Sequence, residues 1–219
     1  MAMEINPLRF RILPPMWINV GLLAIFVIAC GLDSSVRGWI SMDEALYARN
    51  ESRFWLVVKQ GGEWWFAALV CLILTTLHPW RWRSIVVLTL GALTSGLLVW
   101  FLKWCVGRTR PRVIEKTPFS FEPFRDGFDG IMHQANLTFP SGHAAMAFSI
   151  ATCLCLMVPR GAWLWLAFGA LVAAERVAEL AHYPSDVVAG AIAGIVCTRF
   201  SLWFCFVVSG RRPLLVHRH

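Results

Sequence analysis

Residues 84–102, SIVVLTLGALTSGLLVWFL, run without a charged side chain from Arg83 to Lys103. A helix needs about 20 predominantly apolar residues to cross the core of a bilayer. This stretch therefore reads as a membrane span and sets the fold class: all-α, integral membrane. It also holds Gly91 and Ser95, four residues apart, a spacing repeated by Ala170 with Ala174 and Gly190 with Gly194. Small residues so placed let helices approach closely in lipid.

Working outward, the pattern recurs on both sides. Apolar segments run from about Met16 to Leu32, Trp64 to Leu77 (extended by Gly62 and Glu63), Ser84 to Leu102, Ser141 to Val158, Ala162 to Leu180 and Asp186 to Val208. The expected architecture is a six-transmembrane-helix bundle with an outer interfacial helical cap, forming one domain over residues 1–219. Composition agrees. Charged residues make up 15% of the chain and hydrophobic ones 58%, whereas a soluble domain carries roughly 25% charged residues. Many of the Trp and Phe residues fall near the ends of apolar runs, as in an aromatic belt.

The net charge of +7 is not gathered on one soluble face, so nucleic acid is not an expected partner. The cysteines are scattered, mostly within apolar runs, and Cys153-x-Cys155 lacks metal-site spacing. Neither a disulfide framework nor a zinc site is implied. Arg9 and Arg11 before the first run resemble a signal peptide, but Val-Ile-Ala-Cys30 is a poor cleavage site, and an uncleaved helix is expected.

Charge sets the orientation. With the amino terminus in the cytoplasm, the inner face holds Arg9, Arg11, Arg81, Arg83, Arg160, Arg199, Arg211, Arg212 and Arg218, against the single acid Glu4. That satisfies the positive-inside rule and puts both termini inside. Two long connections then lie outside. Residues 33–61 mix charge with apolar residues, as in Met42–Tyr47 and Phe54–Val58, which suits either an interfacial amphipathic helix or an ordinary surface helix of the cap. Residues 112–139 place Phe119, Phe121, Phe124 and Phe128 among prolines, glycines and charges. A loop of that length is usually functional, and it reads as a flap over a site, touching lipid.

Three short motifs share that outer side: Lys103-x6-Arg110-Pro111, Pro140-Ser141-Gly142-His143 and Arg176-x5-His182-x3-Asp186. Ser141-Gly142 opens an apolar helix, where free N–H groups and the helix dipole favour an anion and glycine permits close approach. A plain N-cap would use Ser141 equally well. Lys103, with Arg108 and Arg112, also fits the pattern of cations snorkelling from helix ends. Arg176 lies inside a span, where an ionisable group is costly unless paired or functional; Glu175 or Glu179 would serve as a structural partner. Asp186, four residues after His182, either orients the imidazole through a ring nitrogen or simply complements the dipole of a helix opening near Pro184.

Together the residues match one chemistry. Phosphoryl transfer needs positive groups around the equatorial oxygens, an in-line nucleophile and a proton donor for the leaving oxygen. Lys103, Arg110, Arg176 and the Ser141–Gly142 backbone supply the first, His182 the second and His143 the third. No carboxylate cluster suited to magnesium accompanies them, so a metal-independent route through phosphohistidine, without a cofactor, is expected.

At these residues the chain resembles the type 2 phosphatidic acid phosphatase family, whose pattern is K-x6-R-P, P-S-G-H and S-R-x5-H-x3-D, over residues 103–186. The resemblance implies His182 as nucleophile, Asp186 as its orienting partner and His143 as general acid. It implies phosphate contacts from Lys103, Arg110, Ser141, Gly142 and Arg176. Glu175 departs from the pattern by standing where the family usually has serine, an acid that would weaken phosphate affinity or pair with another cation. The run Gly107–Pro111, with Phe119, Phe121, Pro123, Phe124 and Phe139, is similar to bacterial lipid A phosphatases and related lipid phosphatases. Phe119, Phe121 and Phe124 are the candidate lipid contacts.

The implied activity is release of phosphate from a lipid phosphate or diphosphate at the outer face of a bacterial inner membrane. A phosphorylated membrane lipid is the expected substrate, and undecaprenyl diphosphate, phosphatidylglycerol phosphate and phosphatidic acid all remain open. A phosphotransferase would use the same residues and differ only in its acceptor. A vanadate-dependent haloperoxidase shares the anion site, but six spans in a short chain argue against it. A non-catalytic lipid transporter or scaffold would fit loss of His182 or Asp186, and both are present. The sequence sets no oligomeric state.

Overall fold

In lipid a segment must satisfy its own backbone N–H and C=O groups, which leaves helix as the form for these runs. The computed structural model describes residues 16–42, 53–77, 82–111, 120–124, 127, 130, 132, 134 and 136–209. Among them lie seven α-helices: α1 Met16–Met42, α2 Arg53–Gln60, α3 Trp64–Leu77, α4 Trp82–Val106, α5 Gly142–Met157, α6 Ala162–Ala178 and α7 Pro184–Ser209. The described residues form no strand, only isolated bridges pairing Arg108 with Phe121 and Thr109 with Leu137.

By length and hydropathy α1, α4, α6 (with the 3-10 turn Pro159–Gly161 before it) and α7 can each cross a membrane. The pair α2 and α3, bent by 68° at residues 61–63, makes a fifth if counted as one span. At 16 residues α5 is shorter. Six spans were expected; the described helices give four, or five with the bent pair.

The short helix α5 sits at the centre. Ala144, Ala145, Ala147, Ser149, Ile150, Ala151, Thr152, Cys153 and Met157 are all buried on it. It packs against α4, α6 and α7, while α1 lies on α7 and α3 on α4. One apolar cluster joins Ala67 and Leu74 of α3, Leu88 of α4 and Ile150, Cys153 and Met157 of α5. Another joins Val58, Ala147 and Val172 of α2, α5 and α6. Of the three expected small-residue pairs, Gly91 with Ser95 and Gly190 with Gly194 pack between helices, whereas Ala170 and Ala174 are exposed. A Cβ on Gly190 would lie 2.3 Å from the Ser141 carbonyl oxygen, and one on Gly194 2.2 Å from that of Ala145. Ser95 and Ser149 hydroxyls meet at 3.1 Å between α4 and α5. All seven cysteines are free thiols.

Two boundaries differ from the sequence reading in ways that matter for the site. Helix α1 continues past Leu32 to Met42, carrying Asp33 into the protein. Helix α4 continues past Leu102 to Val106, so Lys103 stands in its last turn. Elsewhere α1 faces outward with exposed Val20, Leu23, Ile25, Val27 and Ile28, as an all-round apolar helix does in lipid.

Of the expected cap, Phe54–Val58 falls in α2, with Phe54, Leu56 and Val57 exposed and Val58 buried. Most of Met42–Tyr47 lies outside the described residues. So does Phe119, as does Phe128. Phe121 and Phe124 are exposed, on a segment tied to the end of α4. Gly107, at φ +63°, turns the chain so closely that a Cβ there would stand 1.9 Å from the Glu122 carbonyl oxygen. Its own carbonyl accepts the Glu122 N–H at 3.0 Å. Phe124 packs edge-on against Trp104.

Candidate active site

The three motifs converge because α5 and α7 start side by side. The Ser141 N–H donates to the Asp186 carbonyl at 3.0 Å, joining the two helix openings. Ser141 caps α5, its hydroxyl accepting from Ala144 N at 3.4 Å. Gly142 begins the helix, and a Cβ there would meet only Val99, at an ordinary 3.7 Å. Packing within the protein therefore does not require glycine at 142, whereas close approach of an anion would.

His182 lies in the turn between α6 and α7. Its N–H and that of Ala181 both donate to the Arg176 carbonyl at 3.2 Å, which fixes the turn to the end of α6. The ring is buried, 3% exposed. Asp186 stands in the first turn of α7 but does not touch the ring directly: Nδ1 and the nearer carboxylate oxygen are 3.8 Å apart. The Thr138 hydroxyl fills the gap, 2.9 Å from His182 Nδ1 and 2.6 Å from Asp186 Oδ2. The hydroxyl has one proton, and at that distance it goes to the carboxylate. Its oxygen then accepts Nδ1–H, so Nε2 carries the lone pair. Asp186 Oδ2 also accepts the Tyr183 N–H at 2.7 Å.

Burial pulls the His182 pKa down to about 4; Asp186 opposes the shift, and Lys103 and Arg110 add to it. The ring is thus neutral across the physiological range, the state a nucleophile needs. Lys103 and Arg110 are close enough to act on it electrostatically. Arg110 is anchored by its own N–H to the Asn136 carbonyl at 3.0 Å and by Nε to that of Leu137 at 3.4 Å.

The opposite flank carries His143, in the first turn of α5. Its Nε2 lies 3.0 Å from Glu63 Oε1, at the break between α2 and α3. That break fits against the helix because residue 62 is glycine; a Cβ there would come within 2.6 Å of the His143 Cβ. Arg176 is buried and grips Glu175 through Nε and Nη2, with Nη2 also on Glu179. Glu175 thus pairs with Arg176 itself, and both acids named as structural partners are engaged. Lys59 extends the chain of charges to Glu179 at 3.6 Å. Among the described residues no three His, Cys, Asp or Glu side chains gather in a way that would hold a metal.

Three participants escaped the sequence reading: Thr138, Asp33 and Arg108. Arg108 fitted a snorkelling cation, yet it is 3% exposed and forms ion pairs with Asp33 and Asp186, each at 2.8 Å. Its sequence signal is an unmatched acid just past an apolar run, together with a second arginine two residues before Arg110.

The arrangement gathers cations and a helix opening beside a neutral imidazole, with a second imidazole across from it. Comparison with known proteins bears on its chemistry. The family model described as "PAP2 superfamily" matches residues 84–209. A lipid A 1-phosphatase of Rhizobium johnstonii is 34% identical over 116 residues, 52% of this chain and 42% of that protein. The bacitracin transport permease protein BcrC of Bacillus licheniformis is 37% identical over 73 residues, 33% of this chain and 36% of that one. The chain thus spans less than half the length of these curated relatives. Among solved structures, Aquifex aeolicus LpxE aligns with a TM-score of 0.54 at 23% identity, covering 73% of this chain and 93% of that one. A PAP2 type phosphatidylglycerolphosphate phosphatase of Bacillus subtilis aligns at 0.50 and 21%, covering 87% and 94%. These two likenesses speak to the fold.

Proposed function

This chain belongs to the PAP2 superfamily, and we propose that it is a bacterial inner-membrane phosphatase, one domain over 1–219, that removes phosphate from lipid head groups by way of a phosphohistidine. The observation that carries the reading is the buried His182 ring, oriented through Thr138 on Asp186 with Lys103 and Arg110 beside it.

In this reading Lys103, Arg110, Arg176 and the Ser141–Gly142 turn hold the phosphoryl oxygens. Arg176 trades its carboxylate partners for them. His182 Nε2 attacks phosphorus in line; the N–P bond forms as the P–O bond to the lipid breaks. His143 passes a proton to the departing oxygen. The Asp186 carboxylate, linked to the Nδ1 proton through Thr138, offsets the positive charge that develops on the ring. Water then attacks the phosphohistidine, giving its proton back to His143 and returning His182 to the neutral state. Each chemical step is assigned to the chain's own side chains, and no step is assigned to a metal or cofactor.

Membership by sequence is joined by bacterial relatives named as lipid A 1-phosphatases. That supports a phosphorylated lipid as substrate, with Phe121 and Phe124 beside its chains. We place six segments in the membrane, counting α5 and the bent α2–α3 pair. Both termini are then cytoplasmic and the site periplasmic, which is where the charge distribution puts them.

The test uses the purified full chain with a panel of phosphorylated lipids, following free phosphate with and without EDTA. Release should be insensitive to EDTA, competed by vanadate and abolished in folded His182→Ala protein. Near-wild-type release by His182→Ala, or EDTA loss that magnesium restores, would sink the mechanism. For sidedness, single cysteines near Ser120 and Arg212, in a background without native thiols, should differ in intact cells. An impermeant reagent should label only the first; the opposite pattern inverts the topology.

A further inference from the structure

Helix α1 lies outside the matched residues 84–209 and exposes much of its apolar surface, yet it carries Asp33 at 1% exposure. A carboxylate buried on a membrane helix is costly unless it is paired and hydrogen-bonded. Asp33 is both. Oδ1 accepts the Ser185 N–H at 2.9 Å; Oδ2 accepts the Ser185 hydroxyl at 2.6 Å and Arg108 Nη2 at 2.8 Å. The other fork of Arg108, Nη1, donates to Asp186 Oδ1 and to the Ser185 oxygen, each at 2.8 Å. One guanidinium thus bridges two carboxylates while lying 3.9 Å over the Tyr183 ring.

The consequence for Asp186 is rotational. Its Oδ1 is pinned by Arg108, so its Oδ2 is presented to Thr138 and, through it, to His182. Arg108 alone could swing toward either carboxylate; Asp33 holds its far side and fixes the plane of the fork. The two acids and one guanidinium sum to one negative charge, set behind a ring that turns positive as it is phosphorylated. Without Asp33 that charge is lost and the Ser185 N–H loses its acceptor.

We propose that Asp33, acting through Arg108, is a positioning residue for the nucleophile: it orients Asp186 so that the Thr138 relay keeps the proton on His182 Nδ1. This makes the first membrane helix part of the catalytic apparatus, and it rests on the phosphohistidine reading above.

The test compares Asp33→Asn, Asp33→Glu, Arg108→Gln and the double variant Asp33→Asn/Arg108→Gln in the full chain. The probes are dioctanoyl phosphatidic acid and p-nitrophenyl phosphate. Loss of a partner directly behind a reacting group costs about 10- to 100-fold in activity. Asp33 stands farther back, behind Arg108, Asp186 and Thr138. The loss should therefore lie near the lower end, about 10-fold, and appear in kcat with KM changed less than about twofold, because Asp33 does not touch phosphate. The double variant should be no slower than Arg108→Gln alone, since both changes act through the same carboxylate. Asp33→Glu keeps the charge but moves it by one methylene, so it guards against a misfolded amide; it should lose kcat in the same way. Nitrogen-15 histidine spectra, which need no substrate, should find Nδ1 protonated at His182 in the wild type and a mixture of tautomers in Asp33→Asn. Three results would overturn the proposal: wild-type kcat in folded Asp33→Asn or Asp33→Glu, a loss confined to KM, or an additive double variant. An unchanged tautomer in Asp33→Asn would overturn it as well. Wild-type protein that releases no His182-dependent phosphate would instead refute the underlying reading, and the spectra would still decide this one.

Discussion

The two flanks of the site are built to opposite standards. Behind His182 lie Thr138, Asp186, Ser185, Arg108 and Asp33, all at most 3% exposed and joined at 2.6–2.9 Å. Around His143 the side chains of His143, Glu63, Lys59 and Glu179 are 25–34% exposed, and the ion pair between Lys59 and Glu179 stretches to 3.6 Å. A nucleophile must be aimed before substrate arrives, so its surroundings are closed and fully hydrogen-bonded. In the proposed reading the proton donor must exchange partners during the reaction, and its surroundings are open and acidic. In the proposed mechanism the closed flank supplies orientation, and the open flank holds a place for the substrate.

After loss of His182 itself, breaking the open flank at its centre should cost most. His143→Ala should lower kcat by about 10² to 10⁴, and least with p-nitrophenyl phosphate, whose leaving group needs little help. An equal loss on a lipid phosphate and on the nitrophenyl ester would remove His143 from the proton transfer.

On the closed flank, Thr138→Val keeps the shape and deletes the relay. It should cost about 10- to 100-fold in kcat, with Thr138→Ser restoring most of it. Failure of serine to rescue would mean the methyl group, rather than the hydroxyl, is what the site requires.

The pH profile separates the flanks next. His182 is held near 4 chiefly by burial, with Lys103 and Arg110 lowering it and Asp186 raising it. The neutral ring attacks, so kcat/KM should persist below pH 6.5 and fall as pH drops through about 4. An acid limb near 6.5, the value of a solvated histidine, would show that the ring opens to water before reaction.

Smaller effects belong to the acids. Glu175→Ser removes a carboxylate that competes with phosphate for Arg176, and it should tighten inhibition by inorganic phosphate severalfold while leaving kcat nearly unchanged. Weaker inhibition would mean that Glu175 orients the guanidinium instead. Smallest on soluble esters should be Phe121→Ser and Phe124→Ser, whose losses should be confined to lipid substrates; equal losses on both would make the loop a structural support.

Much of this was legible in the chain. Apolar length marked four of the six expected segments as helices able to cross a membrane, and the spacing within three motifs picked out His143, His182, Asp186 and the cations. The pairing of Arg176 with Glu175 and Glu179 is the structural alternative to a phosphate contact that the cost of a charge in a span had left open. What stayed hidden was long-range. Asp33-Ser34-Ser35 looks like the start of a loop, yet it is helical, and Asp33 meets Ser185 and Arg108, 152 and 75 residues away in sequence. Thr138 carries no periodic signal, because its role depends on the turn that brings it between two residues of another motif. The shortness of α5 becomes intelligible only once its neighbours surround it.

The glycines of α7 set a mechanical gauge. Gly190 lies one turn below Asp186 and presses on the Ser141 carbonyl, and Gly194 lies one turn deeper, against that of Ala145. The gap between the turn bearing His143 and the turn bearing His182 is thus set by hydrogen atoms well inside the apolar layer. A methyl group at either position is a wedge, and the helix above it a lever arm whose length differs by about 6 Å between the two. Gly190→Ala and Gly194→Ala would pry the same two imidazoles apart from different fulcrums, detuning the reaction by degrees without altering any atom that meets the substrate.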